Sequence, residues 1–70
     1  MDIGANIWAL RERRGLSQQQ LASMAGVTQA YISSVELGIR IPSMKAGKLI
    51  AETLGVNVDA LYAENISARG

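Results

Sequence analysis

The stretch SQQQLASMAGVTQAYISSVELG, from Ser17 to Gly38, decides the fold because it predicts two short helices joined by a tight turn. Ser17 can cap the first helix, and Gln20 can reach back to the Ser17 amide in the arrangement called a capping box. Gly26 can adopt the left-handed conformation that ends this helix, and Thr28 can cap the next one. The turn between the two helices is therefore only about three residues long.

The second helix of this pair separates an apolar face from a polar one. Val27, just before the helix, and Ile32 and Val35 within it recur at helical spacing and are expected to face the interior. The opposite face is polar and uncharged, which suits contact with base edges in the major groove of DNA. The same pattern also fits an ordinary helical hairpin in a small bundle. The outward-facing residues are Thr28, Gln29, Ala30, Ser33 and Ser34.

Length and composition limit the chain to one small domain with few chemical options. A chain of 70 residues can bury only one compact core. It contains no cysteine and no histidine, which excludes disulfides, thiolate metal sites and the usual general base at neutral pH. We therefore expect no enzymatic activity, no metal and no cofactor. Neither a membrane-spanning run nor a secretory signal is recognised, which predicts a cytoplasmic protein.

The basic side chains are unevenly distributed, although the net charge is only +1. Residues 1–48 hold six of the seven basic side chains but only three of the six acidic ones. A DNA-binding module needs such an electropositive side, yet many proteins that bind no nucleic acid also have one. The charge distribution supports the DNA interpretation without deciding it.

Three further helices are predicted around the central pair. The first runs from Ile3 to Arg13, the fourth from Ser43 to Leu54, and Asn57 caps a short last helix. Residues 65–70 lack periodicity and are expected to fray, which leaves residues 1–64 as the domain. The expected buried residues are Ile3, Ile7 and Leu10 in the first helix, and Met44, Gly47, Ile50 or Ala51, and Leu54 in the fourth.

The chain carries short motifs at the spacing of a known family. They are Gly15-Leu16-Ser17-Gln18, Leu21-Ala22, Gly26-Val27, Ile32-Ser33 and Glu36-x-Gly38, with Ile3-Gly4, Ile7 and Leu10-Arg11 upstream and Pro42-Ser43, Ile50-Ala51, Leu54-Gly55-Val56 and Asp59-x-Leu61 downstream. Together they resemble the Cro-type phage-repressor helix-turn-helix family, the XRE group of transcriptional regulators. The resemblance implies an all-α, five-helix lambda-repressor-like domain whose second and third helices form the helix-turn-helix. It also implies sequence-specific binding of double-stranded DNA by a repressor or controller, with residues 28–36 in the major groove.

The resemblance further assigns roles to individual residues. Arg11 and Glu36 are expected to form an ion pair between the first and third helices. Gln29 is the best candidate for reading a base, because glutamine can pair bidentately with adenine. The other expected base-reading residues are Ala30, Tyr31, Ser33 and Ser34. The expected phosphate contacts are Arg14, Gln18, Thr28, Arg40 and Lys45.

Relatives of this kind bind as dimers, so a homodimer is expected, with its contact surface placed at Leu61, Tyr62 and Ile66. The alternative function is a protein-interaction module, an antitoxin or adaptor on the same fold, with Leu37, Tyr62 and Trp8 as contacts. Trp8 stands where relatives commonly carry a basic residue, and it either covers the core edge beneath the C-terminal tail or anchors a partner.

Gly47 stands where relatives usually carry leucine, and a glycine inside a helix costs about 1 kcal/mol relative to alanine. Either Trp8, Met24 or Met44 fills the space beside it, or another segment approaches the helix closely.

Overall fold

The computed structural model describes residues 2–63, which form four α-helices and one terminal 3-10 helix. The all-α class and the helix-turn-helix formed by the second and third helices are confirmed. None of these helices is both long enough and apolar enough to cross a membrane. The predicted frayed tail, residues 65–70, lies outside the described residues. The α-helices are α1 (Ile3–Arg13), α2 (Gln18–Ala25), α3 (Gln29–Glu36) and α4 (Met44–Leu54).

The predicted fifth helix is a 3-10 helix of five residues, Val58–Tyr62. Asn57 was expected to cap it, but its side chain makes no capping hydrogen bond. So short a segment gains too few hydrogen bonds to offset the cost of starting an α-helix, and the tighter 3-10 geometry is usual for single turns.

The helix starts follow the local signals in the sequence. Ser17 Oγ accepts a hydrogen bond from the Gln20 amide at 3.0 Å and Gln20 Oε1 accepts one from the Ser17 amide at 2.8 Å, which completes the predicted capping box. Gly26 is left-handed, with φ of 76°, and Thr28 caps α3. These contacts set the tight turn between α2 and α3. Asp2 and Ser43 cap α1 and α4.

One core lies among the four α-helices and the 3-10 helix. Leu61, which was expected at an exposed dimer surface, is fully buried in this core, because the 3-10 turn directs it inward. Met44 was expected to be buried and is instead 68% exposed, because it lies at the very start of α4, outside the packed part of that helix. The core side chains include Ile7, Leu10, Leu21, Ile32, Val35, Ile50, Leu54 and Leu61.

Asn6 fastens the 3-10 helix to α1. Its side chain is 1% exposed, and its amide nitrogen donates hydrogen bonds to the backbone oxygens of Leu61 and Ala63. Sequence analysis did not single out this residue. Its burial could have been predicted from its position in the helix. Asn6 is three residues after Ile3 and four before Leu10, which places it on the same inward-facing stripe of α1.

The space beside Gly47 is bordered by the 3-10 helix. A methyl group added to Gly47 would lie 3.8 Å from a methyl of Val58 and 3.9 Å from the Tyr62 hydroxyl. Of the two predicted arrangements, the structure shows another segment beside the helix, but at a distance that leaves room for a methyl group. The residues proposed to fill the space, Trp8, Met24 and Met44, are all exposed.

Gly4 marks a much closer approach between elements. A methyl group at Gly4 would overlap the backbone oxygens of Val35 and Glu36, at the C-terminal end of α3. The α1 backbone therefore rests directly on the last turn of α3.

A buried ion pair also joins α1 to α3. The Nε and Nη2 atoms of Arg11 donate to the two carboxylate oxygens of Glu36 at 2.7 and 3.1 Å, and both side chains are less than 10% exposed. Arg11 Nη1 donates to the backbone oxygen of Leu16 at 2.7 Å, and Gln18 Nε2 donates to Glu36 at 3.0 Å. The predicted ion pair is thus present and ties α1, α2 and α3 together.

The hydrogen bond to Glu36 raises the pKa of Arg11, although burial alone lowers it. A group whose pKa is raised on folding contributes stability at every pH below its pKa in the unfolded chain. For an arginine this contribution is lost only in strongly alkaline solution.

We expect Gly47→Ala to stabilise the protein by about 1 kcal/mol, because helix propensity improves and the new methyl meets only ordinary contacts. This corresponds to a melting temperature raised by about 4–8 °C for a domain of this size. Thermal unfolding followed by circular dichroism measures it. A lower melting temperature would show that the 3-10 helix packs more tightly than described.

Gly4→Ala is expected to have the opposite effect, because the same added methyl meets backbone atoms that cannot rotate away. Overpacking of this kind costs about 1–3 kcal/mol. Gly47→Ala is the matched control, since both changes improve helix propensity equally. If the two variants melt at the same temperature, the contact between α1 and α3 is looser than described.

Arg11→Ala is expected to destabilise the protein by about 3–5 kcal/mol, because it leaves the Glu36 carboxylate buried without its cation. DNA binding should weaken as well, since α3 loses a contact that orients it. The control is Glu12→Ala, which removes a mostly exposed carboxylate 3.4 Å from the same guanidinium and should cost at most about 1 kcal/mol. Urea titration measures the loss of stability, and a DNA-binding assay measures the loss of affinity. An Arg11→Ala variant with the stability and the affinity of the wild type would contradict the prediction.

Candidate nucleic-acid interface

One face of α3 is turned away from the core. Ile32 and Val35 are buried, while Gln29 and Ala30 are exposed and Ser33 is half-buried. The caps at both ends of the α2–α3 turn hold this face in place. The uncharged face predicted from the sequence is therefore present on the surface, with its most accessible residues in the first turn of α3.

A depression of about 230 Å³ lies beside this face. Its lining includes both predicted base-reading residues and predicted phosphate contacts, and it comes from α3 and from the connection between α3 and α4. The lining residues are Thr28, Ala30, Tyr31, Ser34 and Arg40.

Tyr31, one of the expected base-reading residues, makes two contacts within the protein. Its ring is half-buried, and its hydroxyl accepts a hydrogen bond from the Ser43 amide at 3.1 Å. The guanidinium of Arg40 lies over the ring, 5.4 Å from its centre. Tyr31 therefore lies between α3 and the segment that leads to α4, because both its polar tip and its ring face have partners there.

The connection between α3 and α4 is attached to the end of α3. The backbone amides of Ile39 and Arg40 both donate to the backbone oxygen of Ser34, at 2.9 and 3.2 Å. Arg40 and Lys45 are exposed, and neither forms an ion pair with another residue in the range 2–63. The structure thus brings the Arg40 cation close to the outward face of α3, and Lys45 follows in the first turn of α4.

Gln18 occupies the first position of α2, as expected, but its amide nitrogen donates to Glu36. A glutamine amide has a second N–H and a carbonyl oxygen, so this bond leaves groups for another contact. The predicted phosphate contact of Gln18 stays a prediction.

Arg14, another of the predicted phosphate contacts, lies against the C-terminal end of α4. Its guanidinium donates to the backbone oxygen of Leu54 at 3.4 Å, at the C-terminal end of α4. Lys45 is in the first turn of the same helix, about 13 Å away along the axis at 1.5 Å per residue. The negative end of the α4 dipole attracts the Arg14 cation, and the predicted phosphate contact of Arg14 stays a prediction.

A set of large apolar side chains is exposed next to this interface. Leu37 was singled out in the sequence as a partner contact, but the others were not. Pro42 favours an extended chain before it. Because an extended chain turns alternate residues to the same side, Ile39 and Ile41 are expected to face one way. The set consists of Leu37, Ile39, Ile41 and Met44, which are 68–77% exposed. Trp8, on α1, is half exposed, and the tail expected to lie over it is outside the described residues.

Comparison with known proteins places these features in a family. The helix-turn-helix family profile matches residues 9–61. The immunity repressor protein of Bacillus phage phi105 is 34% identical over 64 residues, which cover 91% of this chain and 44% of that protein.

Two solved structures are similar. The restriction-modification controller protein C.AhdI from Aeromonas hydrophila has a TM-score of 0.83 at 32% identity, covering 86% of this chain and 91% of that one. The DNA-binding domain of the P22 c2 repressor has a TM-score of 0.89 at 25% identity, covering 96% and 88%. The chain spans less than half the length of the phage phi105 repressor. Since the family profile covers most of the chain and includes both helices of the central pair, the protein belongs to the XRE-type helix-turn-helix family.

Proposed function

We propose that this chain binds double-stranded DNA sequence-specifically as the DNA-binding domain of a cytoplasmic transcriptional regulator, a repressor or controller. The observation that carries the proposal is the exposed, uncharged face of α3 with the Arg40 cation beside it. The names of the relatives support it, since they include a phage immunity repressor, a controller protein and a repressor DNA-binding domain.

In this proposal α3 enters the major groove with its first turn foremost. Gln29 and Ala30 are the most accessible of the base-reading candidates, and a glutamine side chain can pair with adenine while an alanine methyl can contact thymine. Ser33 and Ser34 are half-buried, so they reach base edges only where the helix lies deep in the groove.

Phosphate contacts surround this face. Thr28 caps α3, and its hydroxyl lines the depression beside Arg40. Lys45 lies in the first turn of α4, where a cation opposes the helix dipole and is better accommodated with an anion nearby. Gln18 contributes through the remaining hydrogen-bonding groups of its amide. These residues orient the domain on the duplex, and α3 supplies the choice of sequence.

A single short helix reads too few base pairs for useful specificity. We therefore propose that the protein binds as a homodimer on two half-sites about 34–36 Å apart. With Leu61 buried, the exposed apolar residues between α3 and α4 are better placed than the C-terminal end to contact a second copy.

The same exposed residues favour a second candidate function, a protein-interaction module on this fold. Leu37, Ile39, Ile41 and Met44 lie within eight positions of one another, and clustered exposed apolar side chains are typical of protein contacts. The two functions are compatible within one chain.

The decisive experiment is a selection of bound sequences from a pool of random duplexes, followed by titration of the selected duplex at two salt concentrations. Specific binding predicts an enriched sequence and an affinity that falls steeply as salt rises. Failure to enrich any sequence, together with no salt-dependent binding, would favour the protein-interaction function.

We expect Gln29→Ala to lose discrimination at one base pair of each half-site, at a cost of about 1–3 kcal/mol there. Binding to unrelated duplexes should barely change, since it depends on phosphates. Competition with operators altered one base pair at a time measures the loss. The matched control is Gln19→Ala, which truncates an exposed glutamine on α2. Uniform weakening on every duplex, with base preference retained, would make Gln29 a backbone contact.

A further inference from the structure

Tyr31 makes two contacts that start on α3 and end on the segment leading into α4. Its hydroxyl accepts from the amide of Ser43, the N-cap of α4. Its ring lies beneath the guanidinium of Arg40. One side chain therefore holds both the middle and the end of the connection.

The contact between the guanidinium and the ring restricts the otherwise flexible side chain of Arg40. Arginine loses rotational freedom when it is held for binding, and an aromatic ring that already holds it reduces that loss at the moment of contact. The guanidinium is 5.4 Å from the ring centre, within the range of a cation–π contact, and this contact keeps the charged end of Arg40 beside α3. The backbone amide of Arg40 is fixed as well, by its hydrogen bond to Ser34.

The surroundings indicate the ligand of this cation. Arg40 lines the depression together with Thr28 and Ser34, so an arginine and two hydroxyl-bearing residues meet at one place. Within residues 2–63, no carboxylate lines the depression. A planar guanidinium and hydroxyl groups suit the oxygens of a phosphate group.

We propose that Tyr31 is a positioning residue, which holds Arg40 and the start of α4 in the geometry that binds a phosphate group of the DNA backbone. The proposal rests on the DNA-binding function above. It replaces the base-reading role expected for Tyr31. Affinity should therefore depend on Tyr31 through Arg40, and the base preference of the protein should not depend on Tyr31.

The test is a double-mutant cycle on the selected duplex. Tyr31→Leu should weaken DNA binding about 2- to 5-fold, the range of an exposed cation–π contact. In the Tyr31→Leu background, Arg40→Ala should then reduce the affinity by a correspondingly smaller factor than it does in the wild type. Tyr31→Phe keeps the ring, so in that background Arg40→Ala should reduce the affinity by the same factor as in the wild type. Arg40→Ala should also lower the salt slope by about one. Arg13→Ala, which removes an exposed cation from α1, is the control for net charge.

A second measurement needs no DNA. The side-chain protons of Arg40 should show upfield ring-current shifts in the NMR spectrum of the free wild-type protein, retained in Tyr31→Phe and lost in Tyr31→Leu. If Tyr31→Leu does not fold, Arg40→Lys replaces it, since lysine keeps the charge but lacks the planar guanidinium. Arg40→Lys should bind more weakly than the wild type.

Several results would overturn the proposal. Additive losses in the cycle, an Arg40→Lys variant that binds like the wild type, or unshifted Arg40 protons would show that Tyr31 does not position Arg40. A changed preference at one base pair in Tyr31→Leu would make Tyr31 a base reader. If Arg13→Ala weakens binding as much as Arg40→Ala, the effect is one of net charge. A wild-type protein that binds no duplex would overturn the proposed function itself, even with the ring-current shifts present.

Discussion

The position of α3 depends on the buried contact between Arg11 and Glu36. Glu36 is the last residue of α3, and its carboxylate accepts from α1 through Arg11 and from α2 through Gln18. Two charges this far from water are stable only when both are paired, so the pair constrains where α3 can lie. The geometry of the whole α3 face follows from this contact, together with the caps at the α2–α3 turn.

Features set by near neighbours could be predicted from the sequence, and features set by distant segments could not. The starts of α2 and α3 depend on Ser17 and Thr28, whose partners are three residues away, and both were predicted correctly. The Arg11–Glu36 pair spans 25 positions, and only the resemblance to a family pointed to it.

The errors share one physical origin. Leu61 lies in a segment too short for helical periodicity to define a direction, and Met44 lies at a helix end where periodicity no longer reports burial. The roles predicted for Arg14 and Tyr31 stay predictions, but their partners within the protein could not be predicted either, because the Leu54 oxygen and the Ser43 amide lie in segments brought near only by folding. No local pattern contains that information.

The contact at Gly4 has a consequence for how binding sites are chosen. Because the α1 backbone touches the last carbonyls of α3, α3 cannot shift toward α1 to follow an irregular duplex. In the proposed complex, a misfit in that direction would be relieved on the nucleic acid side, by bending or by a change in groove width. Such distortions cost different amounts in different sequences. A stiff protein surface therefore makes base pairs that no side chain touches contribute to the choice of site.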